Sequence, residues 1–461
     1  MKTRPFSVLM SMLFMLTGFS IPALPSASSA PQPASAFPQD KRSTEQVPQD
    51  CTVFYASDDQ VALGGNNEDD RNPRTKIWFV PPENGKYGLA LVGFEDYAWQ
   101  GGVNDHGLFF DGTAVRVVSV PQEPGKPVLD GWSLLYKAMT ECATVDCVVQ
   151  LYDRYSRGPG TPNGQRLFGD ALGNSVIIEP LVNIRKEGQY QVVTNFFQSE
   201  VPPESRTDAR YRIATEMLQG ADHYSVNLFR NILNATHQEA DWQTVYSTIY
   251  DLKQNVIYLY YFHDFDHVVT FSLKDELAKG IHSYDIPSLF PPSPAALALE
   301  KPTADQMTAR QAALVQVKIS RDLLATYAGT YELSPGHNIL VEIDGDRLLA
   351  RDPSMPWVEG TPISDTHFVY ISTDGYGKVI EKGVTFQSEA GQVTGLEFDD
   401  GQGNKVAAKK LPEVVSAPPA AQAASTPSVL WILTVPLLLL GAAIGWFLFR
   451  RARQSSKGIR L

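Results

Sequence analysis

This sequence predicts a layered α+β domain, then a small antiparallel β unit, then one C-terminal membrane helix. Three observations predict it. Between residues 51 and 290, strand-like runs come in hairpin-like clusters with helical stretches between them, the pattern of stacked sheets and helices. From 322 to 411 apolar residues alternate with period two around turn signals. Residues 429–449 are 21 predominantly apolar residues without a charge, long enough to span a bilayer.

The first domain carries most of the length. Its strand-like runs include Ile77-Trp78-Phe79-Val80, Leu89-Ala90-Leu91-Val92, Leu108-Phe109-Phe110 and Ser175-Val176-Ile177-Ile178. Further runs fall at 190–194, 244–250, 256–261 and 268–271, and helical stretches at roughly 130–155, 205–219 and 225–236. Residues 291–321 form a linker running into a short helix. The second unit opens with Tyr327-Ala328-Gly329-Thr330-Tyr331, and Asp344-Gly345-Asp346 is a hairpin turn. It reads as a small antiparallel barrel or curled sheet.

The ends of the chain read as address and anchor. Residues 1–30 have a positive start at Lys2 and Arg4, an apolar core and the small-residue site Ser28-Ser29-Ala30, as in a signal peptide. Residues 31–50, rich in Pro, Ala and Gln, are a propeptide or linker, and 412–427 a flexible spacer. The membrane helix is placed at 428–449. Arg450, Arg451, Arg453 and Lys457 then make 450–461 a cytoplasmic tail by the positive-inside rule. The domains before the anchor are expected outside the cytoplasm, tethered to the cell membrane.

Composition excludes some functions. The chain has 461 residues, room for about three domains. A net charge of −12 excludes nonspecific nucleic-acid binding, which needs a basic face. There is no phosphate-cradling Gly loop and no Cys/His zinc set, so neither cofactor nor metal is expected. His263 and His267 have a metal-like spacing, but the segment His263-Asp264-Phe265-Asp266-His267 reads as a loop between strands.

The three cysteines are Cys51, Cys142 and Cys147. An odd count in an exported protein suggests one pair and one free thiol. Residues five apart on a continuous helix diverge, so a Cys142–Cys147 bridge needs a break, which Ala143-Thr144-Val145-Asp146 offers with Thr144 as N-cap. Two buried thiols are the alternative.

The chemistry centres on residues 51–69. Cys51 opens a β-patterned run, a turn follows at Ser57-Asp58-Asp59-Gln60, and a second run enters the polar cluster around Asn66, Asn67 and Asp69. That hairpin brings a thiol close to carboxylate and amide groups. Cutting the bond before Cys51 releases an α-amine with a pKa of about 7.7–8.0, able to take the thiol proton without a histidine. A carboxylate orients such an amine, and an asparagine with backbone amides stabilises an oxyanion.

Five short motifs in order resemble one group. Cys51-Thr52 with Gly65-Asn66-Asn67-Glu68-Asp69 is similar to the opening hairpin of the linear-amide C–N hydrolases, namely choloylglycine hydrolases, penicillin V acylases and isopenicillin N acyltransferase relatives. Gly102-Val103-Asn104-Asp105-His106-Gly107-Leu108 resembles their G-x-N-E-x-G-L element, and Gly169-Asp170-Ala171 with Val176-Ile177-Ile178-Glu179 their D-x-x-G…E strand pair. Val193-Thr194-Asn195 resembles the T-N element, and the stretch from Ser205 to Tyr211 the S…R-[FY] element.

The resemblance covers roughly 51–275. It implies an αββα sandwich of the N-terminal-nucleophile type. It implies Cys51 as nucleophile and, through its freed amine, base; Asp69 as the acid holding the amine; Asn195 as the oxyanion asparagine; and Arg210 as the arginine beside the nucleophile. Asn66 stands where bile-salt hydrolases carry arginine, which leans toward the acyltransferase-like branch. Thr113 and Ala114 lie near the second oxyanion position, and Asn104 reads as a turn-former. Without the resemblance, Asp69 and Asp70 read as turn acids, Asn195 as a loop cap, and Arg210 as a partner of Asp208 or Glu216.

The expected function is hydrolysis of a small-molecule N-acyl amide through a thioester on Cys51. Acyl transfer from the same acyl-enzyme, or an inactive surface binding protein on this fold, are the alternatives.

Overall fold

The computed structural model describes residues 51–412, apart from 117, 119, 130, 157–163, 335–336, 375–376 and 404. The signal peptide, the propeptide, the spacer beyond 412, the membrane helix at 428–449 and the basic tail all lie outside the described residues. Among the described residues, no helix is long and apolar enough to cross a membrane.

The chain begins with the expected hairpin, β1 (Thr52–Ser57) and β2 (Ala62–Asp70). The Asp58 carboxylate accepts from the Gln60 and Val61 backbone N–H groups, closing the turn. Strands β3 (Thr75–Val80), β4 (Leu89–Phe94), β5 (Trp99–Asn104) and β6 (Leu108–Thr113) form a meander. Helices α1 (Gly131–Glu141) and α2 (Val145–Arg154) follow, then β7 (Gln165–Asp170), β8 (Ser175–Ile178), β9 (Asn183–Arg185) and β10 (Tyr190–Val193). Next come α3 (Ala209–Gln219), α4 (Val226–Thr236), β11 (Gln243–Asp251), β12 (Val256–Tyr261) and β13 (Asp264–Ser272). After α5 (Leu273–Leu277), strand β14 (His282–Asp285) adds to the meander's edge.

Two antiparallel sheets result, one of six strands ordered β10-β1-β2-β11-β12-β13, one of eight ordered β14-β3-β4-β5-β6-β7-β8-β9. Period-two alternation explains the layers. From β1, Val53 and Tyr55 enter the core between the sheets with Ile77, Phe79, Phe109 and Leu167. Phe54 and Ala56 point the other way, against Leu218, Phe229 and Leu233 of α3 and α4. On the far face of the second sheet, Trp78, Phe110 and Phe168 pack against Leu135, Ala138 and Leu151 of α1 and α2. The order is helix, sheet, sheet, helix.

Two glycines let the hairpin sit between these layers. A Cβ on Gly64 would lie 2.7 Å from the Phe109 ring, and one on Gly65 2.8 Å from the Phe54 ring. Cys142 and Cys147 are bonded, with Cα atoms 5.4 Å apart. The helix breaks between them as the geometry requires, and Thr144 caps α2 by accepting from the Cys147 N–H.

Two local expectations are corrected. The 291–321 segment holds a helix of 20 residues, α6 (Pro294–Ala313), rather than a short one. Ser293 caps it and Pro294 takes its first turn, a start signal that the Pro-rich surroundings obscured. The His263–His267 segment is not a loop throughout: His263 sits in the turn, while His267 lies inside β13 and bonds Asp264. No metal-holding cluster of His, Cys, Asp or Glu occurs among the described residues.

Beyond α7 (Arg321–Tyr327), the chain closes an eight-stranded barrel. Its strands are β15 (Gly329–Ser334), β16 (His337–Asp344), β17 (Arg347–Arg351) and β18 (Val358–Pro362), then β19 (His367–Thr373), β20 (Val379–Glu389), β21 (Gln392–Asp399) and β22 (Lys405–Lys410). Pairing of β15 with β22 joins the ends. The barrel is held to the sandwich by buried polar contacts: Lys382 to Asp96 at 2.9 Å, Thr373 to Glu95 at 2.8 Å, Asn72 to Thr373 at 3.1 Å.

Candidate active site

The site lies at the open end of the β1–β2 hairpin. Antiparallel register places Thr52 opposite Asn67 and Val53 opposite Asn66, so the residues that start β1 meet those that end β2. Cys51 immediately precedes β1, is 6% exposed and is the free cysteine.

Asp69 is fixed from the neighbouring strand. The β2–β11 register shifts between Thr244 and Tyr246, an irregularity of the kind that re-aims side chains. Thr244 lies opposite Asp69 and donates to Asp69 Oδ1 at 2.5 Å. The carboxylate is buried, and Arg210 Nη1 is 3.9 Å from its Oδ2.

Arg210 ties the site together. It projects from the first turn of α3, whose N-cap Asp208 accepts from the Tyr211 N–H. Its Nη1 donates to the Cys51 carbonyl oxygen at 2.9 Å. Both Nη atoms donate to Asn195 Oδ1 at 3.3 Å, and Nη2 to Asp208 at 2.8 Å. One guanidinium therefore holds the Cys51 main chain, the Asn195 amide and the N-cap carboxylate, with Asp69 beside it. The helix-face pairing to Asp208 and the contact with the Cys51 segment coexist.

Asn195 follows β10, the strand that pairs with β1. Its oxygen accepts from Arg210, which leaves Nδ2 as the donor end, and Nδ2 donates to the Ala114 carbonyl at 2.9 Å. Thr113 Oγ1 donates to the Thr194 carbonyl at 3.1 Å, bringing the end of β6 to the same place. The fold thus gathers Cys51, Asp69, Asn195 and Arg210, which lie far apart in sequence.

Asn66 sits deeper, between the sheets. Its Nδ2 donates to Asp111 Oδ2 at 2.6 Å, and its Oδ1 has no hydrogen-bond partner among the described residues. Asn104 touches none of these groups. Its Oδ1 accepts from the His106 and Leu108 N–H groups, and its Nδ2 donates to the Met139 and Cys142 carbonyls, so it builds the β5–β6 turn and anchors α1.

Electrostatics keeps the thiol protonated. Burial pushes the Cys51 pKa well above its ordinary 9.0, and the Glu68 and Asp69 charges add to this; the Asp69 backbone N–H pulls weakly the other way. Asp111 is also pushed well above its usual range by burial, against the Gly112 N–H and the Asn66 amide. A thiol so placed needs a base. The arrangement suits an amine on residue 51 itself, since Arg210 already holds that residue's main chain near Asp69.

Sequence reasoning passed over Thr244, Glu68, Asp111 and Tyr246. Both Glu68 and Tyr246 are buried; the Glu68 charge helps raise the Cys51 pKa, and burial followed by the Glu68 charge pushes the Tyr246 phenol well above its ordinary range, which keeps it neutral. Thr244 carries no local signal. Asp111 carries one, a carboxylate within the apolar run Leu108-Phe109-Phe110 and its Gly-Thr continuation.

No family model matches this chain, and no curated protein matches it. Similar solved structures include a mutant of the conjugated bile acid hydrolase from Clostridium perfringens, at 18% identity and TM-score 0.40, covering 51% of this chain and 96% of that one. A variant of the same hydrolase gives 18% identity and TM-score 0.41, covering 51% and 97%. Penicillin V acylase from Agrobacterium tumefaciens gives 14% identity and TM-score 0.39, covering 51% and 91%.

Proposed function

We propose that this chain is an amidase that cleaves the C–N bond of a linear N-acyl amide through a thioester on Cys51. The observation that carries this reading is the Arg210 bridge: one buried guanidinium within 3.9 Å of Asp69 also holds the Cys51 carbonyl and the Asn195 amide. The motif order along the sequence supports it.

The steps follow from the groups present. Cleavage of Asp50–Cys51 frees the amine of Cys51, which Asp69 orients. The amine takes the thiol proton as sulfur attacks the amide carbonyl. The Asn195 Nδ2 group donates to the oxyanion. The α-ammonium passes this proton to the leaving nitrogen as the C–N bond breaks, the amine departs, and the acyl group stays on sulfur. Water, deprotonated by the same α-amine, then releases the acid and restores the thiol.

A cut at Ser28-Ser29-Ala30 leaves Cys51 about twenty residues inside the chain, so a second cut is required. Export and a membrane anchor at 428–449 belong to the same reading. They place the catalytic domain outside the cytoplasm. N-terminal analysis of active, mature protein tests the mechanism. A chain beginning at Cys51 is expected; fully active protein beginning at Pro31 overturns it.

Acyl transfer is the second reading, favoured by Asn66 where bile-salt hydrolases carry arginine. It shares the acyl-enzyme and differs in what resolves it. Product analysis with and without added amines separates the two, across bile-salt, penicillin V, acyl-homoserine-lactone and N-acyl-amino-acid substrates.

A further inference from the structure

We propose that Gln165 is a positioning residue for the oxyanion donor: its one amide group grips the main chain on both sides of Asn195 and so aims the Asn195 side chain. The inference rests on the reaction proposed above and adds a residue that acts through Asn195 without touching substrate.

Asn195 lies beyond the sheet that delivers it. The pairing of β10 with β1 ends at Val193, and Asn195 is only half-buried. The Phe196 N–H donates to the Thr194 carbonyl at 2.9 Å, which makes Asn195 the centre of a three-residue turn. A turn closed by one bond needs outside support if its side chain is to be held to a few tenths of an ångström.

The support comes from the other sheet. Gln165 starts β7, opposite Thr113 at the end of β6, and is fully buried. Its Nε2 donates to the Thr194 carbonyl at 2.6 Å and to the Phe196 carbonyl at 2.7 Å. These are the carbonyls of the two residues that flank Asn195. Thr113 donates to the first of them as well. Glu179, just past β8, accepts from the Gln198 N–H at 2.6 Å and from the Ser199 hydroxyl. Three adjacent strand ends of one sheet therefore clamp the segment that carries Asn195, and Gln165 alone spans the residue itself.

The chemistry of the amide agrees with that role. Both partners are carbonyls, which only accept, so the NH2 end must face them. Gln165 Oε1 is left buried with no hydrogen-bond partner among the described residues. Buried side-chain polar atoms are ordinarily paired, so the donor end sets where this side chain sits. Once the main chain is fixed, the Asn195 amide is fully assigned. Its Oδ1 accepts from Arg210, one Nδ2 proton goes to the Ala114 carbonyl, and the second Nδ2 proton remains for an oxyanion.

The test is acylation of the mature protein by p-nitrophenyl acetate, followed as p-nitrophenolate release, with Cys51→Ala as the blank. Sulfur attacks the ester carbonyl through an oxyanion, the thioester forms, and the phenolate leaves. Gln165→Met keeps the bulk and removes the donor. It is expected to lower the acylation rate constant roughly 10–10²-fold, as misplacement of a reacting group by about 1 Å does elsewhere. In an Asn195→Ala background the same change is expected to cost less than about twofold, because the group it aims is gone. Near-UV circular dichroism and N-terminal analysis check that each variant is folded and begins at Cys51. Should Gln165→Met fail either check, Gln165→Asn keeps a buried amide one methylene shorter, too short to span both carbonyls, and is expected to show the same coupling at smaller amplitude. An unchanged rate constant in the Gln165 variant, or an equal fold-loss with and without Asn195, overturns this inference and leaves the reaction standing. An unchanged rate constant in Asn195→Ala alone overturns the oxyanion assignment and this inference with it. Release no faster than the Cys51→Ala blank overturns the thioester itself.

Discussion

The molecule has two interiors built on opposite terms. Between the sandwich sheets, near Cys51, the buried groups are polar and ionisable: Asn66, Glu68, Asp69 and Asp111. They are packed in hydrogen bonds from strands and helices remote in sequence. Inside the barrel, the walls are apolar and space remains. Burying polar groups is costly unless each is bonded, so the first interior tolerates little change. The second forfeits packing contacts around its void. The contrast is one of polarity: bonded, ionisable groups in one interior and apolar walls around a void in the other.

The largest effect separates them outright. Cys51→Ala is expected to abolish turnover while leaving the fold of both interiors intact, as steady-state assays and near-UV circular dichroism on one preparation would report. Residual turnover near the parent's rate would remove Cys51 from the reaction.

At the junction of the two, Lys382→Met leaves Asp96 buried without its cation, and both side chains are under a tenth exposed. Breaking such a pair costs about 3–5 kcal/mol. Urea unfolding is expected to show that loss. Replacing both residues by apolar ones of similar volume is expected to recover most of it. A loss well below 1 kcal/mol for the single variant would mean the pair is hydrated.

Within the first interior, Asn195→Ala is expected to lower kcat by roughly 10²–10³, equivalent to about 2.7–4 kcal/mol, as for loss of an oxyanion donor elsewhere. KM should change little. A raised KM with unchanged kcat would make Asn195 a substrate-binding group instead.

How much of this was legible in the sequence differs between the interiors for physical reasons. The β1–β2 hairpin could be read because two apolar runs flank Asp58, a residue that closes its own turn. Cys51, Asp69, Asn195 and Arg210 were brought forward by the family resemblance of their motifs, and the fold brings them together. Thr244 could not, because its tie to Asp69 spans 175 positions and depends on a register shift in β11. Barrel strands such as β16 showed in the alternation of Ile339, Val341 and Ile343. Closure through β15–β22 did not, nor did the cavity, which depends on how side-chain volumes sum once the ring is shut.

The finest test concerns how dry the first interior is, and Asp111 reports on it. Burial pushes its pKa well above the ordinary 3.8, so the neutral acid is favoured in the fold. Below pH 3.8 folded and unfolded chains both hold the proton, and burial of the acid costs nothing extra. As pH rises past 3.8 the unfolded chain gives up its proton while the folded one keeps it. Stability therefore falls until the folded pKa is reached. Asp111→Asn removes this titration and keeps the shape, and the Asn66 amide can turn to present its oxygen. The variant's stability relative to the parent should rise with pH from about 4 upward, by up to about 1.4 kcal/mol per unit. Urea unfolding at pH 4, 5, 6 and 7 reads this directly. A flat difference across that series would mean Asp111 stays ionised in the fold, held by the Asn66 amide and the Gly112 N–H, and the two interiors would then differ less in polarity than their walls suggest.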